Sequence, residues 1–186
     1  MSKLSVFNAV SIDGYFTDAN GDMSWAHRDD DEWNAFAGDN ASGGAVLLFG
    51  RKTYEMMVKH WPTAGGKQDN PAVAEGMNRL RKVVFSRSLD KVEWANTEIV
   101  KSDIVQAVRE LKQGKGPDLV ILGSGTIVSQ LSDARLVDQY QIVLTPIVLG
   151  AGRTMFESQK RRLDLELKNS RTFKNGNVVL WYEPRS

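Results

Sequence analysis

The sequence predicts an α/β domain: a mixed, mostly parallel central sheet with helices on both faces and a C-terminal antiparallel hairpin. Three observations carry this. The apolar run Ala45 to Phe49 ends in Gly50, and Tyr54, Met57, Val58 and Trp61 follow at helical spacing. That is a buried strand, a tight turn and a helix start. The same order recurs at Leu119 to Leu122, a Gly123-Ser124-Gly125-Thr126 turn, and then Ile127, Val128 and Leu131; an unbroken apolar strand of this kind is one covered on both faces. Toward the end of the chain the pattern changes. Leu163, Leu165 and Leu167 alternate with polar residues, as do Val178, Leu180 and Tyr182, and Asn175-Gly176 between them is a strong hairpin signal.

The remaining elements follow in chain order. Leu4 to Val10 reads as a first strand, broken by Ser11 to Tyr15. Asp18-Ala19-Asn20-Gly21-Asp22 is turn composition, so a polar loop is expected to about Met23. Asp29-Asp30-Asp31-Glu32 precede Trp33 and Phe36. Carboxylates there favour the positive end of a helix dipole, so capping is the plainer reading of the cluster, and a pocket-facing acid is the other. Asp39 to Gly44 is expected as a loop. Pro62 to Pro71, glycine-rich and polar, is expected as a loop long enough to move or to cover a site. Ala72 to Leu80 gives a short helix, and Lys82 to Ser86 and Thr97 to Val100 give strands. Ser102 is the expected N-cap of a helix whose face is Ile104, Val105, Val108 and Leu111; Gly114 and Gly116-Pro117 stop it. Tyr140 to Leu144 is a strand. Pro146 marks a bulge or sheet edge, and Gly150-Ala151-Gly152 a turn. No repeat, linker or low-complexity segment divides the chain, so residues 1–186 are read as one domain.

Composition narrows the function. A net charge of +1 without a Lys/Arg run argues against a general nucleic-acid or membrane-surface role. No apolar stretch approaches 18 residues, and the N-terminus enters Leu4-Ser5-Val6-Phe7 without a signal-peptide pattern, so a cytoplasmic protein is expected. With no cysteine there is no disulfide framework and no thiolate chemistry. His27 and His60 are too few for a histidine-rich metal site and are read as surface or packing residues; no metal is expected.

Each glycine junction has a chemical reading. Gly50 admits close approach to the backbone, the first helix amides lack internal partners, and Arg51 and Lys52 add positive charge. A phosphate-bearing ligand and an ordinary junction with a solvated Arg-Lys pair both fit these residues. Gly123 to Thr126 is close to the dinucleotide fingerprint but has Val128 where the third glycine would stand. The unit lies two-thirds along the chain, and Asp138 comes early for the ribose acid. A Rossmann fold is therefore rejected. Two junctions still offer two places for the phosphates of one dinucleotide.

Asp13-Gly14, Trp25, Phe49-Gly50-Arg51-Lys52-Thr53-Tyr54, Val84-Phe85-Ser86-Arg87 and Leu122-Gly123-Ser124-Gly125-Thr126 occur in the order seen in dihydrofolate reductases. The stretch Thr145 to Gly152 with Met155-Phe156 resembles the reductase domain of bacterial riboflavin biosynthesis. The resemblance covers nearly the whole chain and implies a dihydrofolate reductase-like fold, a homodimer and NADPH as cofactor. It implies that Val10 and Ser11 present backbone to the nicotinamide, that Gly50, Arg51, Lys52 and Thr53 sit at phosphates, and that Ser86 and Arg87 lie at the adenosine ribose. Leu122, Gly123, Ser124, Gly125 and Thr126 would line the pyrophosphate. Counting from Trp25, which would border the substrate, the catalytic carboxylate falls on Asp30, here inside a run of four acids.

NADPH is preferred over NADH on the residues themselves. Arg51 and Arg87 each follow a buried-type strand within two residues of its end. Parallel neighbours would bring both guanidiniums to one edge, and neither junction has an acid at the equivalent place to repel a 2′-phosphate. The expectation is an NADPH-dependent reductase of a small heterocycle, pterin-like or ribosylaminopyrimidine-like. The alternatives are a nucleotide-binding or regulatory module of the same fold without turnover, and an α/β domain that binds no dinucleotide.

Overall fold

A computed structural model describes residues 1–185. In chain order the elements are β1 (Leu4–Ser11), β2 (Tyr15–Asp18), a short 3-10 helix (Ser24–Ala26), α1 (Asp31–Ser42), β3 (Val46–Gly50), α2 (Arg51–Met57), α3 (Ala64–Asp69), α4 (Pro71–Arg79), β4 (Lys82–Phe85), β5 (Thr97–Val100), α5 (Ile104–Gln113), β6 (Leu119–Leu122), α6 (Gly125–Asp133), β7 (Gln139–Thr145), β8 (Gly152–Thr154), β9 (Leu165–Thr172) and β10 (Val178–Pro184). Eight strands form one sheet in the order β5-β4-β3-β6-β1-β7-β10-β9. The first six run parallel, and β10 and β9 add the antiparallel hairpin. β2 and β8 pair separately as a two-stranded ribbon.

Alternation along the strands sorts the core onto two faces. Val46 and Leu48 join Leu4, Val6 and Ile121 under Val108 of α5 and Ile127, Val128 and Leu131 of α6. Leu47 and Phe49 point the other way, against Tyr54 of α2 and Val73 and Met77 of α4. Farther along that face Val143, Phe173 and Val179 meet Trp33 and Phe36 of α1. The register brings the C-terminal ends of the parallel strands to one edge: Gly50 opposes Phe85, Phe85 opposes Val100, and Ser11 opposes Thr145.

Several local expectations are corrected. The segment Pro62 to Pro71 contains α3, because the Thr63 hydroxyl caps it at Gly66 and Gly66 packs on the chain at His60, where a β-carbon would come within 2.5 Å of the His60 carbonyl oxygen. Residues 39–42 belong to α1, which continues because it docks on α4. The cap of α5 is Asp103, whose carboxylate accepts from Gln106 N at 2.9 Å, and not Ser102. Pro146 follows the last residue of β7 and forms no bulge, and Leu163 precedes β9. The polar loop after β1 and the glycine turn at 150–152 conceal β2 and β8. Neither Tyr15-Phe16-Thr17-Asp18 nor Gly152-Arg153-Thr154 carries an apolar run or a clean alternation, and each is specified by a partner far away in the chain.

Candidate functional site

The strand ends open into a cavity of about 900 Å³. Such a crevice beyond the carboxyl ends of parallel strands is where open α/β sheets bind ligands. Its floor is the Gly50 to Thr53 junction, Phe85 to Arg87 after β4, Val100 to Ile104 after β5, and Ser124 to Ile127 at the start of α6. The roof is Phe16, Thr17 and the turn after β2, with Arg153 from β8.

The two glycine junctions are tied to each other. Gly50 N–H donates to Ser124 Oγ at 2.7 Å, and Ser124 Oγ donates to Thr53 Oγ1 at 2.9 Å. Ser124 holds a left-handed φ of +58° to reach both. Gly123, at φ +60°, lies against Thr53, whose Oγ1 would stand 2.8 Å from a β-carbon there. Asn8 of β1, 3% exposed, clamps the same turn: its Oδ1 accepts from Gly123 N at 2.5 Å and its Nδ2 donates to Gly123 O at 3.2 Å. Sequence reasoning missed Asn8. The available signal was an amide on the inward, alternating set Leu4, Val6, Asn8, Val10.

The junctions offer less free backbone than the sequence implied. The Gly50 amide and the Thr53 hydroxyl oxygen are engaged inside the protein. Gly125 is required by packing, since a β-carbon would come within 3.0 Å of the Phe16 ring. The amides of Gly125 and Thr126 open α6, where no earlier turn supplies carbonyl partners. Ser86 Oγ accepts from Leu89 N at 3.0 Å and Ser88 N at 3.3 Å, which leaves its proton to give. Arg51 pairs with Glu55 at 3.2 Å, while Lys52 and Arg87 have no ion-pair partner among the described residues.

Of the residues singled out from the sequence, Gly50, Arg51, Lys52, Thr53, Ser86, Arg87, Ser124, Gly125 and Thr126 line this cavity. Leu122 and Gly123 lie behind its wall, and Val10, Ser11, Trp25 and Asp30 lie outside its lining. The Ser11 hydroxyl donates to Asp13 at 2.6 Å and accepts from Tyr15 N, and Asp13 in turn accepts from the Leu149 and Gly150 amides. These bonds hold the Asp13 carboxyl below its ordinary range, the Ser11 hydroxyl most of all. Trp25 Nε1 donates to the Asp22 carbonyl. Asp30 is the N-cap of α1, its Oδ1 accepting from Trp33 N at 2.8 Å. The lining also includes Lys101, Asp103, Gln130 and Arg153, none of which the sequence marked.

Beside the cavity, on the α1 face, Ser11, Thr145 and Asn177 form a polar row across β1, β7 and the entry to β10, all fully buried. Thr145 Oγ1 and both polar side-chain atoms of Asn177 have no hydrogen-bond partner, nor does Arg28 Nε, whose guanidinium reaches the Pro146 carbonyl at 3.2 Å. Among the described residues no group of three or more His, Asp or Glu side chains could hold a metal ion, and no helix is long and apolar enough to cross a membrane.

A family model for the RibD C-terminal domain matches residues 2–179. YyaP, an uncharacterized protein of Bacillus subtilis (strain 168), is 29% identical over 94% of this chain and 90% of its own. Among solved structures, a protein provisionally assigned to riboflavin biosynthesis from Shewanella sp. PV-4 superposes with a TM-score of 0.75 at 21% identity, covering 99% of both chains. The deaminase and 5-amino-6-(5-phosphoribosylamino)uracil reductase of Thermotoga maritima gives 0.69 at 16% identity, covering 99% of this chain and 57% of that one. At these identities the structures establish a shared fold, with its mostly parallel sheet and antiparallel C-terminal strands.

Proposed function

The chain belongs to the RibD C-terminal domain family, and we propose that it is an NADPH-dependent reductase of a small heterocycle, pterin-like or ribosylaminopyrimidine-like. The charge of the cavity carries the reading. Arg51, Lys52, Arg87, Lys101 and Arg153 line it; Glu55, Asp90 and Glu157 pair with three of them from outside the lining, and the one acid in the lining, Asp103, is occupied in capping α5. A volume of about 900 Å³ is at the upper end for small-molecule pockets, as an extended dinucleotide needs. Arg87 and Ser86, with Arg51 one strand away, would hold the 2′-phosphate; the amides of Gly125 and Thr126 and the Thr126 hydroxyl would hold the pyrophosphate. Bound NADPH would supply a hydride, and the protein's part is to bind, orient and exclude water.

The family match supports a ribosylaminopyrimidine-like substrate. In this reading Val10 and Ser11 present backbone to the nicotinamide, Trp25 borders the substrate, and Asp30 is the proton source through the carboxylate oxygen its cap does not use.

The test is to titrate NADPH and NADH against wild type and against Arg51→Ala with Arg87→Ala. Two charge-assisted hydrogen bonds at about 1.5–3 kcal/mol each predict a preference for NADPH of roughly two to four decades. The double variant should lose that preference and keep its NADH affinity. Equal binding of the two cofactors by wild type would overturn the assignment. NADPH binding without oxidation over a panel of pterins and ribosylaminopyrimidines would favour the nucleotide-binding module instead.

A further inference from the structure

We propose that Arg153 is a second, roof-side clamp on the dinucleotide, gripping the pyrophosphate at the start of α6, and that Glu157 is its built-in competitor. The inference rests on the dinucleotide reading above. Of the five cations around the cavity, Arg51, Lys52, Arg87 and Lys101 rise from the strand-end floor, and Arg153 alone comes from the β2–β8 ribbon. The ribbon is outside the main sheet, with Thr17 opposite Arg153.

It is nevertheless docked at a definite place. A β-carbon on Gly125, the first residue of α6, would come within 3.0 Å of Phe16 and 3.2 Å of the Met155 carbonyl oxygen. Ser129 Oγ donates to that same carbonyl at 3.4 Å, and Asn8 Nδ2 reaches Met155 Sδ at 3.1 Å. Arg153 is thus two residues from a point fixed against the opening turn of α6, and it lines the same cavity as that turn. Arg87 cannot share this place. It follows β4, which is separated from β6 by β3, so two strand spacings of ~4.8 Å each lie between them. Arg87 and Arg153 therefore serve different anions of one ligand.

Arg153 Nε and Nη2 both donate to Glu157 Oε1. The two side chains are 39% and 37% exposed, and an ion pair that wet is weak. A pyrophosphate offers the same guanidinium a bidentate acceptor beside helix amides. Binding then means exchange of one acceptor for another, and Glu157 sets the cost of that exchange.

The sign of two substitutions separates this role from simple bracing of the ribbon. Arg153→Gln should weaken NADPH and NADH by the same factor, about tenfold or more, and flatten the salt dependence of binding. Glu157→Gln should tighten both cofactors by about two- to fivefold, since the competitor is gone, and Arg153→Lys should recover part of the loss. Dissociation constants from cofactor fluorescence quenching at two ionic strengths read all three. If Arg153 only braces β8, both Gln variants break the same pair and weaken binding alike. Unchanged affinity in a folded Arg153→Gln protein overturns the clamp while leaving the dinucleotide reading intact. A wild type that binds neither cofactor overturns both.

Discussion

Lys82 is fully buried at the start of β4, and its ammonium closes the end of α4. It donates to the carbonyls of Leu80 at 2.6 Å, Met77 at 2.7 Å and Asn78 at 3.3 Å, and stands 4.6 Å from the centre of the Trp94 ring. Carbonyls and ring favour the charged form; burial opposes it and pushes the group down from 10.5 to about 8. Between those values the unfolded chain holds a proton that the folded chain has released, so this residue adds stability as pH rises from about 8 to 10.5, by up to about 3 kcal/mol in total. Tyr140, raised by burial to about 12, acts in the opposite sense above pH 10. Urea midpoints at pH 7.5, 8.5 and 9.5 should therefore rise for wild type relative to Lys82→Met. A constant difference between the two proteins across that range would refute the depressed value. In sequence Lys82 is one polar residue opening an apolar strand, and nothing local shows that it is the most enclosed ionisable side chain among the described residues.

At the scale of elements, the two glycine turns form one unit. Composition identifies each turn, but the residue that joins them, Ser124, touches Gly50 and Thr53 across more than 70 positions of sequence. This changes what a substitution at Gly123 tests. The sequence suggests that a side chain there would strike a ligand, whereas it meets Thr53 first, at 2.8 Å. Gly123→Ala should cost roughly 2–3 kcal/mol, of which about 1–2 belongs to a left-handed conformation in a residue with a β-carbon. Because the remainder is steric and specific to Thr53, the pair Gly123→Ala with Thr53→Ala should be less destabilised than the sum of the single changes, by about 1 kcal/mol in a double-mutant cycle. Strict additivity would mean that Thr53 is not the obstacle.

For the whole molecule, the main sheet is one body and the β2–β8 ribbon a separate piece that closes the cavity from above. A dinucleotide held between floor and ribbon, as proposed, would bind only the folded chain. At a hundredfold excess over its dissociation constant it should raise stability by about 2.7 kcal/mol, which for a domain of this size is roughly 5–10 °C in melting temperature. Hydrogen exchange should slow most in β2, β8 and the first turn of α6, and least in the β9–β10 hairpin, which stands at the far edge of the sheet. No shift with NADPH would favour an α/β domain without a dinucleotide. Uniform protection would show that the ribbon is no separate closing piece.

Much of this was legible in the sequence, for a physical reason. Apolar runs of strand length, helical spacing after a glycine and an Asn-Gly between alternating strands are local patterns. They respond to local geometry and to whether one or both faces are covered, so the mostly parallel sheet, its helices and its terminal hairpin could be read from the chain. So could most residues that line the floor of the cavity, since every parallel strand ends at the same edge and its turn residues follow it there. What only the tertiary structure decided depends on distant partners. β2 and β8 carry no apolar run and hold together only against each other, so the ribbon and Arg153 were invisible. Asn8 acts through a turn 115 residues away, and Thr145 and Asn177 become neighbours only when β10 pairs with β7. Hydrogen bonds and burial at such separations leave no period in the sequence, because they are set by which strands adjoin and not by what precedes or follows each residue.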